Sequence, residues 1–555
     1  VAALVPVVLA LAAISTPGAR AVSSPSVRVS RAPAPRSTAR RGRLAARASD
    51  TELPEVTLGE RLFLETRFAQ FFAAHMSGVN DPLPEGDPAV ATLPTSLGPL
   101  PGPFAGRSMN CRNCHLVDDV EGVSARTYAD FSRKSRVPQR DDGAAETPRN
   151  APTLVDAAIP RPGPLLLHFD GEFASLTDLV RSTLTGRNYG WLPGEQPEAA
   201  AHIARVIRED DGSDDLGRAL GGAYGVLLRG TDPAIPAALR LPEQFRVDAS
   251  DAADDRILDV VARLIAAYVR SLHFAKGSPY DVFLEKNGLP AAPFAGESDL
   301  DYSRRLRAAV DILSTPRFVG PEDGQLLQHD HPFEFGPEEL KGLKIFFREP
   351  LPGTLAGDPR VLSTRTGNCI ACHAAPYFTD FSFHNTGATE EEYDASHGEG
   401  AFRRLFIPDL DYRNSRYEDF LPATAAHPTA TGPFRRAPAD LGVWNIFANP
   451  EFPAAQEGLQ DLLNADGRSP AEALRRTIAY FKTPGLRDPG QSGPYLHTGR
   501  KREIEEVLEL YLVSSVRQRA GRLRNGSREL AGIFLREADI APLAAFLRAL
   551  DEDYE

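Results

Sequence analysis

The 555 residues include only four Cys, two Met and two Trp. Four cysteines in a chain of this length cannot make a disulfide scaffold, and a body this large buries enough apolar surface to be stable without one. Both methionines, Met76 and Met109, lie before or beside the first cysteine pair, so the C-terminal half has no thioether to offer a metal. Positive charge is short beyond the N-terminus. Residues 1–49 carry eight Arg and no acid, leaving 54 basic against 75 acidic residues and a net charge of −21 on the remainder. Such a body repels phosphate backbones, which argues against nucleic acid as a partner and for a small basic protein. After the first residues, no run approaches the ~20 apolar residues of a spanning helix. With 42% hydrophobic residues, 47 Pro and 45 Gly, the composition is that of a globular chain, neither collagen-like nor wholly disordered.

The apolar run from Ala2 to Ile14, followed by Ala19-Arg20-Ala21, reads as an export signal over residues 1–21, although no start Met or basic leader precedes it. Residues 22–50 are rich in Ser, Pro and Arg without apolar periodicity and read as a disordered linker. The expected location is the periplasm, with tethering to a membrane if the signal stays uncleaved.

All four cysteines fall into two matching frames, Cys111-Arg112-Asn113-Cys114-His115 and Cys369-Ile370-Ala371-Cys372-His373. Each is the C-x-x-C-H attachment motif of a c-type haem. Two thiols on one short turn add across the vinyl groups, and the next residue then lies under the iron as proximal ligand. Local disulfides, thioredoxin-like redox pairs and a shared four-Cys zinc site are the competing readings. None has a use for His directly after both second cysteines. The 258-residue separation predicts two haem domains, an N-terminal one over 51–294 and a C-terminal one over 335–555, with a Pro-punctuated connection over 295–334.

The expected fold class is mainly α, two cytochrome c-like domains with long loops. Ile257, Leu258, Val261, Leu264, Ile265, Tyr268, Val269 and Leu272 repeat at helical spacing, as do Leu340, Leu343, Phe346 and Phe347, and Ile540, Leu543, Phe546, Leu547 and Leu550. The span from Ala375 to Pro470 is rich in Pro, Asn, Gly and Asp and reads as an elaborated loop region over the second haem.

Further segments accompany the frames in order: Pro148-Arg149-Asn150-Ala151-Pro152-Thr153-Leu154, Phe169-Asp170-Gly171, Pro376-Tyr377-Phe378-Thr379-Asp380, Phe383-His384-Asn385-Thr386-Gly387, Phe481-Lys482-Thr483-Pro484-Gly485-Leu486-Arg487 and Gly493-Pro494-Tyr495-Leu496-His497-Thr498-Gly499. With them the chain resembles the bacterial dihaem cytochrome c peroxidases and the MauG-type enzymes over most of residues 105–550. The resemblance implies reduction of hydrogen peroxide in the periplasm, electrons entering at the second haem from a small c-type cytochrome and peroxide being cleaved at the first. It leaves open an electron-transfer cytochrome without peroxidase activity, MauG-type oxidation of a protein partner, and a homodimer.

The resemblance also assigns roles. Tyr511 falls where such peroxidases place an axial Met and MauG-type relatives a ligating Tyr; the competing reading is a core residue on the helix Lys501–Val513. The distal Gln and Glu of the family fall on Leu179 and Tyr189, so the acid/base groups nearest the site are His168, Asp170 and Glu172, with Glu172 standing where the family usually has Arg. The distal His of some relatives would lie near Asp142, where this chain has none. Phe169 replaces the relay Trp before Asp-Gly, and Trp191 is the nearby substitute. A calcium site would map to Asn150 with carbonyls from Ser492 and Pro494. Among the remaining histidines, His384 and His497 are expected to hydrogen-bond a propionate or a carbonyl, His329 and His331 to lie on the surface of the connection, and His397 and His427 to be reserve axial ligands.

Overall fold

A computed structural model describes residues 53–91, 108–115, 136–161, 163–274, 276–326, 329, 331–351, 365–420, 439–463, 467–490 and 492–553. The expected signal and linker, and His427, lie outside them. The described chain is mainly helical. Its principal helices are α1 (Pro54–Phe63), α2 (Leu176–Leu184), α3 (Gln196–Glu209), α4 (Asp254–Ser271), α5 (Pro279–Lys286), α6 (Asp299–Asp311), α7 (Pro337–Phe346), α8 (Ala388–His397), α9 (Pro453–Leu463), α10 (Ile504–Arg519) and α11 (Ile540–Arg548). Among the described residues, strand is confined to the short antiparallel pair β1 (Phe383–His384) and β2 (Phe481–Lys482), which aligns Phe383 with Lys482 and His384 with Phe481. No helix among the described residues is long and apolar enough to cross a membrane.

The first core collects buried residues from Val56 to Phe274 around α4. Helices α1, α2 and α3 all pack on α4, which buries the predicted stripe together with Val260, Ala262 and Ala266. Asp254 and Asp255 occupy its first turn, where the helix dipole favours anions. Gly59 allows α1 to lie against α4, since a Cβ there would sit 2.1 Å from the Leu264 carbonyl oxygen. Beneath this core runs a buried ionic network. Arg67 bonds Glu65 at 2.6 Å and Asp210 at 2.9 Å, Arg61 reaches Asp210 at 3.3 Å, and the Tyr224 hydroxyl donates to Glu65 at 3.0 Å. Burial opposes the Glu65 charge, but Arg67 outweighs it and holds the carboxyl at about 2. A folded-state pKa below the unfolded one stabilises above pH ~4.5, and that contribution is lost as pH falls towards 2. Removing one partner strands the others in a dry interior, so Glu65→Ala is expected to cost ~3–5 kcal/mol, read as a lower urea midpoint.

The second core runs from Tyr280 to Leu550. Helix α7 lies along α11 with Gly342 at the crossing, where a Cβ would meet the Pro542 carbonyl oxygen at 1.9 Å. Tyr280, Phe346, Phe347, Phe378 and Phe546 contact one another, mostly edge to face. Helices α5 and α6 belong to this core, although the sequence places α5 in the first domain and α6 in the connection. The Pro-rich stretch between them is a turn inside one unit, and the same local signals mark a turn and a domain border.

A third cluster is unexpected. Phe402, Phe420, Leu441, Val443, Trp444, Ile446, Phe447, Ala455 and Leu459 are buried together within the span read as loops. Arg413, fully buried, donates to the Trp444 and Phe447 carbonyls. Most of the helices here run only four to eleven residues, too short for a periodic stripe to stand out.

Candidate functional site

Each cysteine pair sits on a single 3-10 turn. At the first, the Asn110 side chain accepts from Asn113 N at 3.2 Å while Asn113 Oδ1 accepts from Asn110 N at 2.8 Å, and His115 N donates to the Cys111 carbonyl at 3.0 Å. This reciprocal cap draws both thiols and the imidazole into one turn. The Tyr189 hydroxyl lies 3.2 Å from Cys111 Sγ. Burial pushes the Cys111 and Cys369 thiols up to about 12, the reverse of a thioredoxin-like nucleophile. All four cysteines are free, and Cys111 and Cys369 belong to different cores, which leaves no place for a shared four-Cys zinc site. Desolvation, with His168 adding to it, holds the His115 imidazole at about 4. It is therefore neutral near pH 7, with a lone pair free for a metal.

At the second turn, His373 N donates to the Cys369 carbonyl at 2.7 Å, and His373 Nδ1 lies 2.8 Å from the Phe378 carbonyl oxygen. That bond fixes the tautomer and leaves Nε2 as the ligating atom. Burial lowers this imidazole's pKa as well. Tyr511, on α10, packs against Leu523, Leu530 and Ile533, and its pKa is raised first by burial and then by Cys372, Cys369 and Asp380. The phenol thus stands beside the second attachment turn. Asp380 bonds His384 Nε2 at 2.7 Å, and ligand atoms of both lie within 4.8 Å of Cys372 Sγ.

Between the turns the two halves interlock. Arg149 donates from Nη1 to Asp170 at 2.6 Å and from Nε and Nη2 to Asp440 at 2.6 and 2.8 Å. Asn150 N donates to the His497 carbonyl at 2.8 Å, and Asn150 Nδ2 to the Pro494 and Leu496 carbonyls at 2.5 and 3.3 Å. Lys482 N donates to the Phe169 carbonyl at 2.7 Å. The Phe169 carbonyl heads a turn closed by Leu167 N to Phe173 O at 2.7 Å, in which His168 Nδ1 and Glu172 Oε2 are 3.0 Å apart. Two cations at this junction pair with no carboxylate among the described residues. The Lys482 ammonium is pulled to about 7 by burial and by Arg161, and Arg161 itself donates to the Ala157 and Ile159 carbonyls and lies 4.2 Å over the Phe381 ring. Desolvated cations call for anions, and the propionates of a haem are anions of that kind. Two thiol turns, two neutral imidazoles and these unbalanced cations fit one haem at each turn.

One curated protein, the cytochrome-c peroxidase IdrP1 of Denitromonas iodatirespirans, is 25% identical over 213 residues, 37% of this chain and 44% of that protein. The match spans less than half of the relative's length. Over that stretch the chain is similar to a cytochrome-c peroxidase. No family model matches it. Two solved structures align over most of the chain at a TM-score of 0.42. One is a MauG-like protein associated with microbial copper homeostasis (16% identity, 91% of each chain), the other the dihaem peroxidase BthA from Burkholderia thailandensis (17% identity, 90% of this chain and 86% of that one).

Measured against the family positions, several expectations change. Asp170 is no free acid: it is fully buried and its charge is taken up by Arg149, which makes it a strut of the junction. His168 and Glu172 remain paired, and burial raises the Glu172 pKa. At the distal positions, Leu179 packs on the first core and Tyr189 contacts Cys111, while Asp142 is held by Arg187 at 2.8 Å. Trp191 is a core residue, its Nε1 donating to the Phe68 carbonyl at 3.3 Å. Asn150 and Pro494, two of the three residues expected at a calcium site, meet here, with Leu496 beside them. Through Nδ2 Asn150 clasps the two halves, while its Oδ1 is buried without a hydrogen-bond partner, an acceptor of the kind calcium takes. His497 stacks on Phe481 at 3.8 Å, and His397 is exposed on the Tyr393 ring, which removes it as a reserve ligand. His329 and His331 are not surface residues, for both are packed against carboxylates. Sequence reading passed over Lys482 and Arg161. Lys482 stood in a matched segment, but only the fold reveals that no acid among the described residues pairs with it.

Proposed function

We propose that the chain carries two covalent haems c and reduces hydrogen peroxide with electrons from a small basic donor such as a c-type cytochrome, in the periplasm. The observation that carries this reading is the pair of C-x-x-C-H turns, each ending on a neutral imidazole, in two separate cores joined by a hydrogen-bonded junction. Bound haem would supply the iron centres that accept electrons and break the peroxide O–O bond.

The chain's own groups then divide the work. Cys111 and Cys114, and Cys369 and Cys372, would hold the two groups, with His115 and His373 supplying an imidazole to each. Tyr511 would be the second ligand on the C-terminal side, a role supported by its place beside Cys372. Glu172, its pKa raised, and His168 are spaced to hold and pass a proton at Oε2 and Nδ1. Lys482 and Arg161 neutralise propionates. The Lys482 N–H to Phe169 carbonyl bond gives electrons a short backbone link between the halves.

Turnover of reduced c-type cytochrome by peroxide, followed at the cytochrome absorbance, tests the reading. Oxidation that needs both the haem-loaded chain and peroxide is expected, with an association rate that drops as salt shortens the Debye length to ~8 Å, because the body carries −21. A chain that takes electrons from the cytochrome but leaves peroxide intact would be an electron-transfer protein instead. A rate indifferent to salt would point to apolar docking.

A further inference from the structure

Away from both attachment turns, the segment before α7 meets the C-terminus of the chain. His329 Nε2 is hydrogen-bonded to Asp488 Oδ1, and its Nδ1 is 3.0 Å from Asp553 Oδ1. His331 Nε2 is 2.7 Å from Asp551 Oδ2, and the two rings lie edge to face with centroids 5.5 Å apart. The His329 side chain is fully buried, as are those of Asp488 and Asp551 to within 1%. A His329 nitrogen and one oxygen each of Asp488 and Asp551 all lie within 4.8 Å of one another. Next to them Glu552, 2% exposed, has its Oε1 3.6 Å from Arg487 Nη1.

Positive charge is supplied here by the two aspartate-bound imidazoles and by Arg487. Three aspartates and Glu552 gather here, and burying carboxylates is costly unless positive charge accompanies them. Both His329 nitrogens face carboxylates, so a neutral ring would set a lone pair against an anion. Only a doubly protonated ring, or a metal ion in place of a proton, satisfies both sides. Ligand atoms around a tetrahedral ion with ~2.0–2.2 Å bonds lie closer together than this window, so a small contraction of the cluster encloses one. Two imidazoles with two carboxylates select a first-row divalent ion over calcium, whose shell is all oxygen.

We propose that His329, His331, Asp488 and Asp551 form a binding site for a first-row divalent cation, zinc being the fitting ion, separate from the haem irons. The raised pKa of both imidazoles means that the ion displaces protons on entry. The site also borders the second haem's support. Arg487, adjacent to Asp488, donates from Nε to the Pro376 carbonyl at 3.1 Å and from Nη1 to Asp281 at 2.6 Å, and Pro376 is three residues beyond His373.

The test uses the haem-loaded full chain without an affinity tag, dialysed against chelator-buffered zinc, with zinc and iron counted by mass spectrometry. One zinc per chain is expected, with affinity about tenfold or more weaker in His329→Gln and in His331→Gln, whose side chain is the more exposed of the two. X-ray absorption at the zinc edge of the unaltered protein should show two imidazole ligands, a readout that does not depend on any variant folding. No zinc retained, zinc retained equally by both variants, displacement by millimolar calcium, or an edge without imidazole would each overturn the proposal.

Discussion

Replacing Cys111 and Cys114 by Ala is expected to halve the covalent haem content, from two per chain to one, while the haem at Cys369 and Cys372 stays. Cys111 and Cys369 belong to separate cores, each pair on its own 3-10 turn, so the loss at one leaves the other turn's backbone bonds in place. Thioether bonds survive denaturation. The ratio can therefore be read from haem staining after denaturing electrophoresis and from the pyridine haemochrome against protein mass. Alanine at the second pair should give the mirror result. Unaltered protein from a cytochrome c-maturing host that carries no covalent haem would refute the assignment outright. A double-alanine variant with two haems would refute the attachment sites.

Tyr511→Phe is expected to convert the second haem's low-spin EPR signal to high-spin and to raise its reduction potential. Phenylalanine keeps the ring's packing on Leu523, Leu530 and Ile533 and removes only the oxygen. A phenolate favours ferric iron, so its loss favours the reduced state, by on the order of 100 mV within the ~0.8 V range that axial ligands command. Potentiometric titration followed in the visible bands checks the direction. Unchanged EPR and unchanged potentials would return Tyr511 to the hydrophobic cluster as a packing residue. His384 and His497 would then be the nitrogen ligands to examine, His384 first, because Asp380 already holds it within 4.8 Å of Cys372 Sγ.

Legibility followed the range of the interactions. The attachment turns are written in five consecutive residues each, and α4, α7 and α11 in stripes of four or more apolar positions, so both could be read directly. Tyr511 lies on α10 against Leu523, Leu530 and Ile533, a place compatible with either the ligand or the core reading. What could not be read depends on partners far along the chain. Asp170 looks like any acid in a turn until Arg149, itself held by Asp440, closes on it. His329 and His331 look exposed in a Pro-rich stretch until residues 488 and 551 arrive beside them. The packing of α5 with the second core was hidden for the same reason, since Tyr280 and Phe283 would suit either core.

The Asn150 clasp has a consequence for the order of assembly. Its partners at Pro494 and Leu496 are 344 and 346 residues away, whereas each attachment turn closes within a few residues. A chain emerging N-terminus first can therefore shape the Cys111 turn long before the junction exists, and loop closure over such a separation is the slow, late event. During that interval the first thiol pair is presented on a formed turn but not yet walled in by the other half. Haem attachment and final docking are thus separated in time by the layout of the chain itself.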